Sequence, residues 1–453
     1  MNSPSISLAE ERPVPSAVRE WFGLSLVQWA LLACFAAYLA AVSWFKVDSF
    51  EHYLRLYQDE LSGPSRMLSL HVVISSGAVF AAAVMLALSR TYRGRAEGEA
   101  GYRIFSASMI FALGMFAVDA RLRITAHTAP PLGDVLYGIL LVALALPLLS
   151  YREHWTRHPA AKYAVAVASS AGVLVMVVDL TSGDHESWHL WTEEILRATA
   201  GVAWSLFAWS VLVQRMHAHS AYRIETAVAA RGGGLVPMWI TIGVLIAAGA
   251  WAGAFAGDPS ASLAKAFHLD GEWTVPAFAS TLLLILASVV AAAVAVEARM
   301  SGSRWHRHWV VLAAGFAYMA VDETASLHEM WGDPVKRVLP LDGTIFQFAW
   351  VVVAFPLVLG LAIYFWPMVW KLDSGDRNRL IASGFVFLGG ALGMEMVGSW
   401  LYVQGGTATT TYQLIVVCEE GLELAGLGLV VRALHLMLRR GTGSTSGTTL
   451  VTG

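Results

Sequence analysis

The sequence predicts an all-α, multi-pass membrane protein of about 12 transmembrane helices, arranged as two six-helix repeats in the same orientation. Three observations carry this prediction. Hydrophobic residues make up 57% of the 453, and charged residues only 14%, against about 25% in soluble proteins. Mean hydropathy is +0.58. Apolar runs of roughly 20 residues, the length that crosses a bilayer, recur along the whole chain.

Residues 1–23 are polar and mixed in charge, with no basic stretch ahead of a cleavage site. They read as a cytoplasmic segment followed by a first span that inserts uncleaved. Candidate spans lie at 24–45, 67–89, 104–124, 134–151, 163–181 and 191–214, filling a first repeat over 24–215. Residues 46–66 set Phe50, Tyr53, Leu54 and Tyr57 among charges, a pattern shared by an interfacial amphipathic helix and an ordinary loop. Residues 216–236, with Gly232, Gly233 and Gly234, read as a cytoplasmic linker. Spans at 237–257, 275–298, 308–328, 341–365, 380–402 and 411–438 form a second repeat over 237–438. The Gly/Ser/Thr-rich stretch at 439–453 reads as a disordered tail.

Orientation follows from the short loops. Those after even-numbered spans carry Arg90, Arg93, Arg95, Arg152, Arg157, Arg299, Arg304, Arg377 and others, while the opposite loops carry far fewer. Basic residues stay in the cytoplasm, so both termini are expected there, as in a bacterial inner (plasma) membrane. The net charge of -3 carries no information on nucleic acid, but no basic tract occurs, and no nucleic-acid partner is expected. Two cysteines, Cys34 and Cys418, exclude a disulfide framework and a cysteine-type zinc site. Cys418 reads as a small core residue.

Short acidic matches recur in the same order in both halves. Asp119 and Asp322 close equivalent spans, Asp179 and Glu395 lie late in the next pair, and Glu193-Glu194 answers Glu419-Glu420. Where the second half has Glu423, the first has Arg197, and Arg121 and Arg123 follow Asp119. The first copy is therefore expected to neutralise its own acids through arginine. The second copy lacks such an arginine.

Acids in a bilayer cost roughly 2.5–3.5 kcal/mol each on insertion scales, so their concentration in the second half marks a site. Counting 1.5 Å per residue from the cytoplasmic boundary sets Asp322, Glu395, Glu419 and Glu420 in one layer, roughly 20 Å up. Glu423 falls a turn lower, and His328 and Glu329 lie about 10 Å higher on the outer side. On a continuous helix Asp322 and Glu329 share a face while Glu323 points elsewhere. Glu419 with Glu423, at i,i+4, can hold one ion or one proton between them. Gly389 and Gly393 form a small-residue step below Glu395, and Gly421, Ala425 and Gly426 flank Glu423, so close helix packing is expected there.

Oxygen donors with one histidine suit Fe, Mn or Zn. The expected divalent metal ligands are Asp322, His328, Glu395, Glu419 and Glu423, with Glu420 and Glu329 as catalytic acid/base groups. Two function classes fit this arrangement. One is a metal-dependent enzyme, a hydrolase or oxidoreductase acting on membrane lipid or another apolar or small-molecule substrate. The alternative is a proton- or cation-coupled secondary transporter, a layout common among two-repeat proteins.

Overall fold

In the computed structural model the described residues are 73–90, 92, 99–122, 132–156, 159–181, 187–221, 235–255, 262–269, 271, 274–407 and 409–441. The expected segment 1–23, the first span at 24–45, the stretch 46–66, linker residues 222–234 and tail residues 442–453 lie outside them. Every regular element among the described residues is helical. Among the described residues, seven helical stretches are long and apolar enough to cross a membrane: Glu99–Ala117, Ala160–Val178, Ile195–His217, Val236–Gly253, Val275–Met300, Trp350–Lys371 and Ser374–Gly405. Ile74–Ser89 and Val135–Ser150 are shorter apolar helices.

The first group comprises α1 (Ala78–Ser89), α2 (Glu99–Leu122), α3 (Leu132–Ser150), α4 (Pro159–Thr181) and α5 (Ser187–Ala221). A π-helical turn, Val73–Gly77, leads into α1. Helix α1 packs on α2 and α5, and α4 packs on α5. Their shared core contains Phe105, Met109, Leu113, Leu86 and Phe207, all fully buried. Gly201 on α5 makes the fit against the π turn possible, because a Cβ there would stand 2.8 Å from the Ser75 carbonyl oxygen. Helix α5 runs on to Ala221, so the first residues of the expected linker are helical.

The second group comprises α6 (Val236–Ala250), α7 (Ser262–Phe267), α8 (Val275–Met300), α9 (His306–Ala325), α10 (Gly332–Val338), α11 (Trp350–Lys371), α12 (Ser374–Leu388), α13 (Glu395–Gly405) and α14 (Thr410–Gly441). Thr274 caps α8, its hydroxyl accepting from the Ala277 amide at 3.4 Å, with Pro276 in the first turn. Helix α8 packs on α9 and α14, and α12 packs on α14. The core of this group also takes in Leu88, Tyr92, Leu212 and Met216 from the first group. Helix α8 touches α1 directly, so the two groups meet along these helices.

Helix α11 begins at Trp350, nine residues later than the expected span at 341–365. Only Val351 and Met368 on it are buried, while Phe355, Leu357, Ile363 and Trp366 are exposed. So long an exposed apolar surface suits a helix that faces lipid. At the other end of the bundle, the buried Asp376 of α12 accepts hydrogen bonds from Arg379 at 2.8 Å and from Arg440 of α14 at 2.9 Å. Cys418 is exposed on α14, against the expectation of a core position. The α14 face that packs inward carries Val416, Leu424 and Leu427 instead.

Candidate functional site

Helix α9 sets the first half of the site. The sequence predicts that this span runs to His328, but the helix stops at Ala325. Ser326 takes a left-handed conformation (φ 44°, ψ 45°) and its amide closes on the Asp322 carbonyl at 2.7 Å. The chain then folds into a 3-10 turn, His328–Trp331. This reversal brings His328 back onto Asp322. The Asp322 carboxylate accepts the His328 backbone amide at 2.8 Å and faces its Nδ1 at 2.9 Å. The expected separation of about 10 Å along a continuous helix is therefore replaced by direct contact. For the same reason Asp322 and Glu329 share no helical face, and Glu329 is exposed on the turn.

Burial works against a charge on the His328 ring, which lies beyond the end of α9. The Asp322 hydrogen bond and the charges of Asp322, Glu329 and Glu395 outweigh it and raise its pKa above the ordinary value. The ring packs against the Trp350 indole with centroids 4.7 Å apart. From its other side, the Trp350 Nε1–H donates to Glu395 Oε1 at 2.9 Å. The start of α11 is further tied to α13 where the Phe348 amide donates to the buried Ser399 hydroxyl at 3.2 Å.

Glu395 opens α13 directly after a π-helical segment, Gly389–Met394. Its carboxyl approaches the carboxyl of Glu419 on α14, close enough to share a proton. Two carboxyls in such contact need a proton between them, since two bare carboxylates repel in a low dielectric. Gly390 admits this approach: a Cβ there would stand 2.7 Å from the Glu419 carbonyl oxygen and 2.9 Å from Glu423 Cγ. Gly389 and Gly393, the step expected from the sequence, meet nothing within 4 Å. Gly426 is the second close contact, its would-be Cβ 2.6 Å from the Phe387 backbone, whereas Gly421 faces Ile246 at ordinary distance.

The remaining acids extend the cluster. Glu423 lies within electrostatic range of Glu395 and of Glu323. Glu323 lies beside the buried Ser280 hydroxyl of α8 and feels Asp322 and His328. Beside it, Thr281 of α8 and Thr324 of α9 share a buried hydrogen bond of 3.0 Å. Glu420, half-buried, acts electrostatically on Glu419. The site thus joins Asp322 and His328, through Trp350, to Glu395 and Glu419, with Glu423 and Glu323 behind. Sequence reasoning missed Trp350, Ser280 and Ser399. Only Ser280, a small polar residue inside an apolar run, left a signal.

The expected five-ligand metal set is drawn together only in pairs. Among the described residues no group of three or more His, Cys, Asp or Glu side chains could hold a metal ion. What the geometry offers is a carboxyl–carboxyl contact and a carboxylate–imidazole contact, both arrangements that hold and exchange protons.

In the first half, Arg197 hydrogen-bonds Glu193 one turn away on α5. Its guanidinium lies 5.6 Å from the centroid of the Tyr137 ring. This pair agrees with an acid neutralised by arginine. The side chains of Asp119, Arg121, Arg123, Asp179 and Glu194 lie outside the described residues.

Residues 238–438 match a family described as Domain of unknown function (DUF8692). No curated protein and no solved structure matches the chain.

Proposed function

We propose that this protein is a proton-coupled secondary transporter of the bacterial inner membrane. The observation that carries the reading is the close approach of the Glu395 and Glu419 carboxyls, from α13 and α14. A shared proton there is held by α13 and α14 together, so any motion that parts the helices changes its affinity. Asp322 and His328 stand as the next station, and the exposed Glu329 as the group nearest solvent. Glu423, Glu323 and Glu420 tune the pair by their charge.

The wider architecture belongs to the same proposal: twelve spans, repeats over 24–215 and 237–438 joined by a linker at 216–236, and cytoplasmic termini. The helix pairings support it. α1–α2, α1–α5 and α4–α5 in the first group answer α8–α9, α8–α14 and α12–α14 in the second. The family match over 238–438 agrees with the bounds of the second repeat.

Infrared difference spectroscopy on the purified protein tests the shared proton. A protonated carboxyl band is expected at neutral pH and should vanish in both Glu395→Gln and Glu419→Gln. Absence of the band would overturn the reading. So would a stoichiometric bound metal released by Glu395→Gln or Asp322→Asn, which would favour the metal-dependent enzyme instead.

A further inference from the structure

The first half holds a feature that the acid cluster does not use. A cavity of about 230 Å³ opens among α1, α2, α3, α4 and α5. Its floor is apolar and deeply buried, with Leu144, Leu148, Ala168 and Trp204. One end carries Arg197, Tyr137 and Ser75, and Ser169 adds a single hydroxyl beside Ala168. Leu148 and Tyr137 both line it from α3. Eleven residues apart, they stand roughly 16 Å from each other along the helix axis. The cavity is therefore elongated, with a polar end and an apolar end. Val142 and Val173 also line it, yet they are 57% and 54% exposed. They mark a lateral mouth between α3 and α4, on a surface that faces lipid.

We infer that this cavity binds the chain of a bilayer amphiphile through its lateral mouth, with a carboxylate or phosphate head at Arg197. The volume exceeds the ~150 Å³ of a dry apolar cavity that holds benzene, which leaves room for part of an acyl chain. A cavity so apolar gains little from water, and the nearest apolar solute is lipid. Arg197 sets the head chemistry. Glu193 holds the guanidinium from one turn away but does not line the cavity, whereas Arg197 does. A planar guanidinium with five donors serves several partners at once, so an anion entering the cavity can join those Arg197 already has. Where the second half buries acids, the first half would thus hold a lipid. This inference stands independently of the proton reading.

The probes are a long-chain fatty acid with a photoreactive group in its chain and the methyl ester of the same acid. Each is added to the full-length protein in nanodiscs of zwitterionic lipid, and crosslinks are mapped by peptide mass spectrometry. The acid should label α3 and α4 peptides around Val142 and Val173 several-fold more than the ester. Excess unlabelled fatty acid should suppress that labelling while leaving general labelling of α11 unchanged. Arg197→Met combined with Glu193→Gln, which keeps the pair neutral, should bring acid and ester to equal labelling. Ala168→Phe, which fills the floor, should abolish both. Equal labelling by acid and ester in the unaltered protein, or no suppression by competitor, overturns the inference without recourse to any variant.

Discussion

Gly390→Ala is expected to damage both the packing and the site, while Gly389→Ala and Gly393→Ala do neither. All three glycines lie in one π segment, Gly389–Met394. A Cβ at Gly390 would stand 2.7 Å from the Glu419 carbonyl oxygen, 2.9 Å from Glu423 Cγ and 3.1 Å from the Glu423 amide nitrogen. The first contact is about 0.7 Å short of ordinary packing distance, and backbone cannot swing aside as a side-chain tip can. The segment and α14 must separate by about that amount. Overpacking of this kind costs roughly 1–3 kcal/mol. The same shift would lengthen the carboxyl contact between Glu395 and Glu419 beyond hydrogen-bonding range. At Gly389 and Gly393 nothing lies within 4 Å, so alanine should stabilise by roughly 0.5–1 kcal/mol through lower backbone entropy. Thermal unfolding in detergent reads the stability order, and the infrared carboxyl band reads the site. Equal melting temperatures for all three variants, with the band intact in Gly390→Ala, would refute the reasoning.

Two further outcomes follow from the residues around the proton pair. Trp350→Phe removes the indole N–H from Glu395 while keeping an aromatic ring for His328. It should destabilise by roughly 1–3 kcal/mol through the lost donor and shift the frequency of the Glu395–Glu419 carboxyl band; an unchanged band would show that Trp350 does not act on the pair. His328 has a raised pKa in the folded protein, so its protonation stabilises the fold fully below its ordinary value of about 6.5. That contribution is lost as pH rises through the raised value. Melting temperature should therefore fall over that window in the native chain, and the fall should shrink in His328→Gln; a profile identical in both would sink the assignment.

How far the sequence revealed the fold depended on which force set each feature. Spans were legible because crossing a bilayer demands apolar length, and α8 even declares its start through the Thr274 cap and Pro276. The end of α9 was not legible. Asp322-Glu323-Thr324-Ala325-Ser326-Leu327-His328 contains no Gly or Pro to signal a stop. The break is set by tertiary contacts, with Ser326 buried and the Asp322 carboxylate holding the His328 amide. The acids were legible as a cluster because their cost in lipid makes them stand out. Their pairing was not, since it depends on that break and on Trp350, one of 18 tryptophans with nothing in its neighbourhood to single it out. The glycine contact was misread because counting along a regular α-helix puts Gly389 and Gly393 on one face, and a π segment does not keep that count.

The π segment ahead of Glu395 also bears on how such a site can change between chains. A π turn accommodates one more residue than an α turn while keeping the backbone bonded. Losing one residue there would restore a regular helix and leave the membrane span intact. Because the π turn has already absorbed its extra residue within the turn, the helix beyond would keep nearly the same face toward α14, and Glu395 would stay opposite Glu419. A single-residue deletion in this apolar stretch, silent in hydropathy and in helix content, would thus be absorbed with the paired carboxyls in place, whereas a second deletion, in what is then regular helix, would turn Glu395 away from α14 by about 100°.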